Sequence, residues 1–170
     1  MGFASAWLKD RALFPVLIKE APSDNTEIIV VVPSYNEPAI TDLLDSLSLC
    51  SKPDCKVEVI IVVNAPSDAG SENLKNNIES IFRVEIWKRE NPDCFFDLYV
   101  IDGSMLRSEG WSVGLARKTG MDEAVRRFDC LNKPDGIILN LDADCRVKGN
   151  YFTAVYSEMH NRKDRSACSI

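Results

Sequence analysis

The run Ile137-Ile138-Leu139-Asn140-Leu141-Asp142-Ala143-Asp144 is the most informative part of this sequence. Its apolar half predicts a buried β-strand, and two carboxylates one residue apart follow at the end of that strand. Clustered carboxylate oxygens suit a hard divalent cation, Mg²⁺ or Mn²⁺, of the kind that can hold a diphosphate. The alternative is that both acids lie in a solvated turn. The run therefore predicts a strand and two candidate metal ligands, Asp142 and Asp144.

Three earlier apolar runs also predict β-strands. They cover Glu27–Pro33, Val57–Val63 and Phe95–Ile101, and helical patterns separate them. Continuous apolar strands that alternate with helices are typical of a parallel sheet covered on both faces. Because such sheets bind ligands outside the carboxyl ends of their strands, we expect the polar residues after the strands to share one edge. The predicted fold class is α/β.

The segments between the strands carry apolar residues at helical spacing. Helices are predicted from Pro38, which suits a first helical turn, and over residues 71–82, 112–128 and 151–159. Three of the four inward positions in the 112–128 helix are small, which allows that helix to approach a sheet closely. The predicted buried faces hold Leu74, Ile78, Ile81 and Phe82 in the 71–82 helix, and Val113, Ala116, Gly120 and Ala124 in the 112–128 helix.

Composition limits the classes of protein and partner. The chain has 170 residues, of which 45% are hydrophobic, enough for one domain with a core. Its net charge is −6 and its pI is about 4.9, so no nucleic-acid partner is expected. The six cysteines lack C-x-x-C spacing. The absence of that spacing argues against a zinc site and indicates reduced thiols in the cytosol.

The first twenty residues do not have the pattern of a secretion signal. Met1–Glu20 lacks a continuous apolar core because charged residues occupy positions 9–11, and no apolar run is long enough to cross a bilayer. The segment can form an amphipathic helix with Phe3, Trp7 and Phe14 on its apolar side. A packed extension is favoured over a membrane anchor. We therefore predict a cytoplasmic protein, with peripheral attachment to a membrane as the alternative.

Three motifs occur in order along the chain. They are Val30-Val31-Val32-Pro33-Ser34-Tyr35-Asn36-Glu37-Pro38, Gly114-Leu115-Ala116-Arg117-Lys118-Thr119-Gly120 and Leu141-Asp142-Ala143-Asp144. In this strand and helix context the ordered set resembles glycosyltransferase family 2, whose members have the GT-A fold and use nucleotide-sugar donors. The resemblance extends from about Ile28 to about Ile170.

The resemblance implies a GT-A (Rossmann-like), mostly parallel sheet with helices on both faces. Residues 1–26 would form an N-terminal helical extension. Residues 27–170 would form the nucleotide-sugar-binding part of a GT-A domain that is cut short after the D-x-D strand region. Residues 166–170 look like the start of a strand that is not completed, and an unpaired sheet edge there would favour self-association.

Three candidate nucleotide-binding residues follow the first strand. Tyr35 can stack on a nucleobase, an arrangement worth roughly 1–3 kcal/mol, or can simply pack the turn. Glu37 can accept hydrogen bonds from ribose hydroxyls, or can cap the next helix, and both roles can hold together. Ser34 offers a hydroxyl or backbone contact to the base.

Four further positions are carried over from the family. The resemblance implies that Asp142 contacts the ribose or the metal shell and that Asp144 coordinates the cation that bridges the diphosphate. Arg117 matches the family's Ala-Arg pair and would support the nucleotide site, with a surface charge as the alternative. Asn64 stands where the family has an acid that helps to read the base. Its amide can still hydrogen-bond a base edge, but a preference for uracil no longer follows.

The resemblance also implies the reaction. The family transfers a sugar with inversion to an acceptor hydroxyl, here of an unidentified glycan, lipid or protein, and the metal stabilises the charge on the leaving diphosphate. The base that deprotonates the acceptor is an acid well beyond the D-x-D strand. No residue in this sequence matches it, so no catalytic residue is assigned.

Two other functions were weighed against this one. A catalytically inactive nucleotide-binding or scaffold module is favoured by the missing base and by Asn64. A phosphatase of the haloacid dehalogenase type also has Asp-x-Asp after a strand, but early in the chain and followed by Thr or Val. Here the pair comes late and is followed by Cys145-Arg146, so the phosphatase is disfavoured.

Overall fold

A computed structural model describes residues 2–106, 110–161 and 167. Four parallel strands form one sheet in the order β3-β2-β1-β4. The strands are β1 (Thr26–Ser34), β2 (Lys56–Val63), β3 (Phe96–Asp102) and β4 (Ile137–Asn140). The helices are α1 (Ser5–Arg11), α2 (Ile40–Ser48), α3 (Ser71–Glu90), α4 (Val113–Leu131) and α5 (Tyr151–Asn161), with a short 3₁₀ helix at Gly103–Met105.

The side chains of β1 and β2 alternate between two apolar layers. Ile28, Val30 and Val32 pack with α2 and α5 on one face of the sheet, whereas Ile29 and Val31 pack against α4 on the other. Both faces are therefore covered, as the continuous apolar strands predicted. The α/β, Rossmann-like fold class is confirmed. All carboxyl ends of the strands meet at one edge of the sheet.

Helix α4 lies close to the sheet, as its small residues predicted. Ala116 and Ala124 are fully buried in that layer. A Cβ atom on Gly120 would clash with the side chain of Val31. Val113 departs from the prediction because it is exposed at the first turn of the helix.

The buried face predicted for α3 is wrong. Leu74, Ile78 and Phe82 are exposed, and Ile81 is only partly buried. The reason is that the inward face begins with polar side chains that hydrogen-bond the loops after β1 and β2. The spacing of apolar residues does not reveal a buried helix face that is made of polar side chains. The buried residues of α3 are Asn77, Ser80, Val84 and Trp87.

One other expectation is corrected, and one lies outside the described residues. Pro38 lies outside the first turn of α2, which begins at Ile40 after the N-cap residue Ala39. The predicted strand at residues 166–170, with its sheet edge, lies outside the described residues except for position 167. Among the residues described, no helix has the length and hydropathy needed to cross a membrane.

The N-terminal segment packs along α4. It is helical only at α1, and its later backbone amides are satisfied by carboxylates of α4. The amide of Leu13 donates to Asp122 at 3.0 Å, and that of Ile18 donates to Glu123 at 3.1 Å. Phe14 lies beyond α1 and stacks on Trp111 with 6.0 Å between ring centroids.

A polar network is buried at the amino end of the sheet. Glu58 on β2 is fully buried and forms an ion pair with Arg127 of α4, while Thr26 at the start of β1 donates to Glu58 at 3.1 Å. Burial alone would lower the pKa of Arg127. The hydrogen bonds and the charge contact with Glu58 outweigh burial, so the net shift of that pKa is upward. Arg127 also donates to Tyr99 at 3.2 Å. Each carboxylate oxygen of Glu58 therefore has a partner.

Candidate functional site

A groove of about 380 Å³ opens at the carboxyl edge of the sheet. It brings together five of the seven residues that the sequence nominated. The other two, Ser34 and Asn64, are buried and do not line it. The lining residues are Pro33, Tyr35, Glu37, Val113, Arg117, Asp142, Ala143 and Asp144.

The turn after β1 is held by asparagines of α3 that sequence reasoning missed. Asn36 has a left-handed backbone conformation with φ of 52°, which asparagine tolerates better than most residues. Asn77 accepts from the Asn36 amide at 2.7 Å and donates to the Asn64 carbonyl at 2.8 Å. It thereby joins the loops that follow β1 and β2. The available signal was the run of Asn73, Asn76 and Asn77 at a helix start, where asparagine is a poor helix former.

Tyr35 and Glu37 project from this turn into the groove. The Tyr35 hydroxyl accepts a 2.8 Å hydrogen bond from Asn73, and the residue stays 37% exposed. Glu37 accepts from the amide of Ala39, the residue just before α2, at 3.1 Å. These contacts fix the positions of both side chains while leaving Tyr35 exposed to a ligand.

Arg117 and Asp142 form an ion pair within the groove. A terminal nitrogen of Arg117 lies 2.7 Å from Oδ1 of Asp142, and the side chains are 36% and 62% exposed. Arg117 is carried by the second turn of α4, whose N-cap Ser112 accepts from the Leu115 amide at 3.2 Å. The Nε atom of Arg117 is buried and has no hydrogen-bond partner among the described residues. Arg117 is therefore a partly buried, ion-paired residue, and its role in a nucleotide site stays a prediction.

Asp142 and Asp144 follow β4 in a tight turn, in which the Cys145 amide donates to the Asp142 carbonyl at 3.1 Å. In the described part of the chain, no group of three or more histidine, cysteine or acidic side chains could hold a metal ion. Mg²⁺ is usually held by one or two carboxylates together with waters and substrate phosphates. The two acids alone therefore do not form an all-protein cage in the described part of the chain, and their role as cation ligands stays a prediction.

Three buried polar atoms near the strand ends lack a hydrogen-bond partner among the described residues. They are Ser34 Oγ, Asn64 Oδ1 and Trp111 Nε1, on residues that are 2%, 3% and 8% exposed. The backbones of Ser34 and Asn64 are joined by a 2.9 Å hydrogen bond. Since most buried polar groups are hydrogen-bonded, three exceptions in this region mark it as unusual. Sequence reasoning did not nominate Trp111.

No protein-family model matches the sequence, and no curated protein matches it. Solved structures do share its fold. The structure of S. aureus TarS 1–349 in complex with UDP-GlcNAc has a TM-score of 0.54 and 18% identity, covering 81% of this chain and 32% of that chain. The complex of the same protein with UDP has a TM-score of 0.52 and 17% identity, covering 81% and 33%.

The mannosyltransferase PcManGT from Pyrobaculum calidifontis, in complex with GDP-Man and Mn²⁺, has 20% identity over 83% of this chain and 34% of that chain. Its TM-score is 0.41, so only the likeness to TarS is used as evidence of a shared fold. At this level of identity the likeness to TarS shows a shared fold. The chain spans about a third of the length of each of these structures.

Proposed function

We propose that this chain is the donor-binding part of a glycosyltransferase of the GT-A type, with family 2 as the family that its motifs resemble. The observation that carries the proposal is the groove, where Tyr35, Glu37, Arg117, Asp142 and Asp144 line one surface at the carboxyl edge of a parallel sheet. That edge is where such sheets bind ligands. The likeness to TarS, in structures that hold UDP and UDP-GlcNAc, supports the same ligand class.

Each residue has a role that its position allows. The exposed ring of Tyr35 stacks on the base, and Glu37 accepts from the ribose. Asn64 and Ser34 lie at the ends of neighbouring strands with unpaired side-chain oxygens, but both are buried outside the groove, so a contact with a base edge would require the loops that cover them to shift. Asp142 and Asp144 hold Mg²⁺ or Mn²⁺ jointly with the diphosphate. The cation, when bound, stabilises the charge on the departing diphosphate, and the sugar passes with inversion to an acceptor hydroxyl.

A second candidate function is a nucleotide-binding module without catalytic activity. Asn64 in place of the family's acid, and the pairing of Asp142 with Arg117, favour it. The two candidates differ in what they require of the cation. An active donor site needs the metal for diphosphate binding, whereas a binding module does not.

Calorimetric titration with UDP-, GDP- and dTDP-sugars, with and without Mn²⁺, tests the proposal. We expect Mn²⁺-dependent binding that Asp144→Ala abolishes, because the carboxylate is a cation ligand. Asp135→Ala is the matched control, since Asp135 is an exposed acid just before the opposite end of the same strand. Binding that persists without Mn²⁺ would favour the inactive module. No binding of any nucleotide sugar would rule out both.

A further inference from the structure

Arg117 presents two features that its role in a nucleotide site does not by itself explain. Its guanidinium is paired with Asp142, one of the two candidate cation ligands, at 2.7 Å. Its buried Nε has no partner within the described part of the chain. A guanidinium has five N–H donors, so the present pairing leaves part of its hydrogen-bonding capacity unused.

The guanidinium and a divalent cation compete for the same carboxylate. Both are positive, and Arg117 already occupies Oδ1 of Asp142. A cation that arrives alone must displace Arg117 and then lie beside its charge. A cation that arrives with a diphosphate brings an anion, and planar guanidinium groups bind phosphate oxygens with two parallel hydrogen bonds.

We propose that Arg117 is an internal counter-ion that occupies Asp142 in the ligand-free chain and moves to the diphosphate when the cation binds. The inference rests on the proposed function and adds a coupling between its two ligands. The nucleotide draws Arg117 away from Asp142 and so raises the affinity for the cation. By thermodynamic linkage, the cation raises the affinity for the nucleotide by the same factor.

The exposure of the pair sets the size of the effect. Ion pairs that are largely open to solvent are weak, and these side chains are 36% and 62% exposed. Arg117 can therefore be displaced readily. Its removal should change the affinity for the cation by roughly 2- to 5-fold, since an exposed ion pair contributes at most about 1 kcal/mol.

The test measures binding of Mn²⁺ alone by the electron paramagnetic resonance signal of the free ion. We expect Arg117→Met to bind Mn²⁺ about 2- to 5-fold more tightly than the unaltered chain, because Asp142 is released. Arg146→Met is the matched control. It removes the same charge two residues from Asp144, but Arg146 pairs with Asp42 outside the groove. We expect less than about a 2-fold change there.

The second arm repeats the titrations with UDP or GDP present. In the unaltered chain the nucleotide should tighten Mn²⁺ binding, and this gain should be several-fold smaller in Arg117→Met. Unchanged or weaker Mn²⁺ binding by Arg117→Met would overturn the inference, as would an equal gain in Arg146→Met. If no nucleotide binds the unaltered chain, the proposed function fails, while the titrations with Mn²⁺ alone still decide whether Arg117 competes for Asp142.

Discussion

The two ends of the sheet differ in whether their buried polar side chains have hydrogen-bond partners. At the amino end, Glu58 is fully buried and receives hydrogen bonds from Arg127 and Thr26. At the carboxyl end, Ser34 and Asn64 are almost as deeply buried, yet a side-chain oxygen of each has no partner among the described residues. An unsatisfied buried group costs about 1–3 kcal/mol. The amino end therefore has the features of a stabilising network, whereas the carboxyl end carries unpaired polar atoms beside the groove proposed to bind a ligand.

The largest expected effect is at the amino end. Replacing Arg127 by Met leaves the Glu58 carboxylate buried without its ion-pair partner, which should lower the free energy of unfolding by about 3–5 kcal/mol. Urea denaturation measures the loss. The double variant Glu58→Gln/Arg127→Met should recover most of it, because no buried charge remains. A loss below about 1 kcal/mol would show that this network is not the stabilising end.

The two ends of β1 offer a matched pair of hydroxyl deletions. Thr26→Val removes a hydrogen bond to a charged carboxylate and should cost about 1.5–3 kcal/mol, whereas Ser34→Ala removes an unpaired hydroxyl and should cost nothing or stabilise slightly. Denaturation of both variants gives the comparison directly. Equal losses would contradict the assignment of Ser34 to the ligand-binding end.

Two tryptophans sharpen the same contrast. Trp87 donates from Nε1 to Asp45 at 2.7 Å, and Trp111 donates to no described residue. Phenylalanine at position 87 should therefore cost about 1 kcal/mol more than phenylalanine at position 111, in line with one net hydrogen bond. Thermal melting of the two variants measures this difference. A greater loss from Trp111→Phe would mean that its indole nitrogen is satisfied in solution.

The smallest effect is a pH dependence near the amino end. Tyr156 donates to Glu27 at 2.8 Å, and this hydrogen bond, with burial and the charge of Glu27, raises the pKa of Tyr156 to about 12. The pKa in an unfolded chain is about 10. The stabilisation is therefore complete below about pH 10 and is lost as the pH rises through about 12.

Tyr156→Phe tests that pH dependence. The variant should be slightly less stable than the unaltered chain at pH 8, and the difference should shrink between about pH 10 and pH 12. Denaturation at a series of pH values measures it. A difference that stays constant across this window would show that ionisation of Tyr156 is not coupled to folding.

Strands were predicted well because each is mostly apolar and lies between two packed layers, with Glu58 in β2 and Asp97 in β3 as charged exceptions. The expected meeting of Tyr35 and Glu37 with Asp142 and Asp144 followed from parallel topology, which brings the carboxyl ends of distant strands to one edge, whereas Arg117 on α4 was nominated through the family resemblance. Family resemblance assigned their roles, and those roles stay predictions. Membership in glycosyltransferase family 2 likewise stays a prediction.

The failures have a common physical origin. The inward face of α3 was misplaced because Asn77 and Ser80 are buried to hydrogen-bond loops, and hydrophobic periodicity does not record that demand. Trp111 was overlooked because an unsatisfied nitrogen becomes visible only when the surrounding atoms are placed. The pairing of Arg117 with Asp142 likewise depends on side-chain geometry across 25 residues of chain.

The position of Arg117 in the groove depends on how Gly120 packs against the sheet. This glycine touches the sheet one helical turn after Arg117, so the depth at which α4 rests determines how far the guanidinium reaches. A single methyl group added there would act as a wedge, tilting the helix and withdrawing the arginine from the rim. Variation at this buried position would then shift Arg117 at the groove without replacing any residue that lines it.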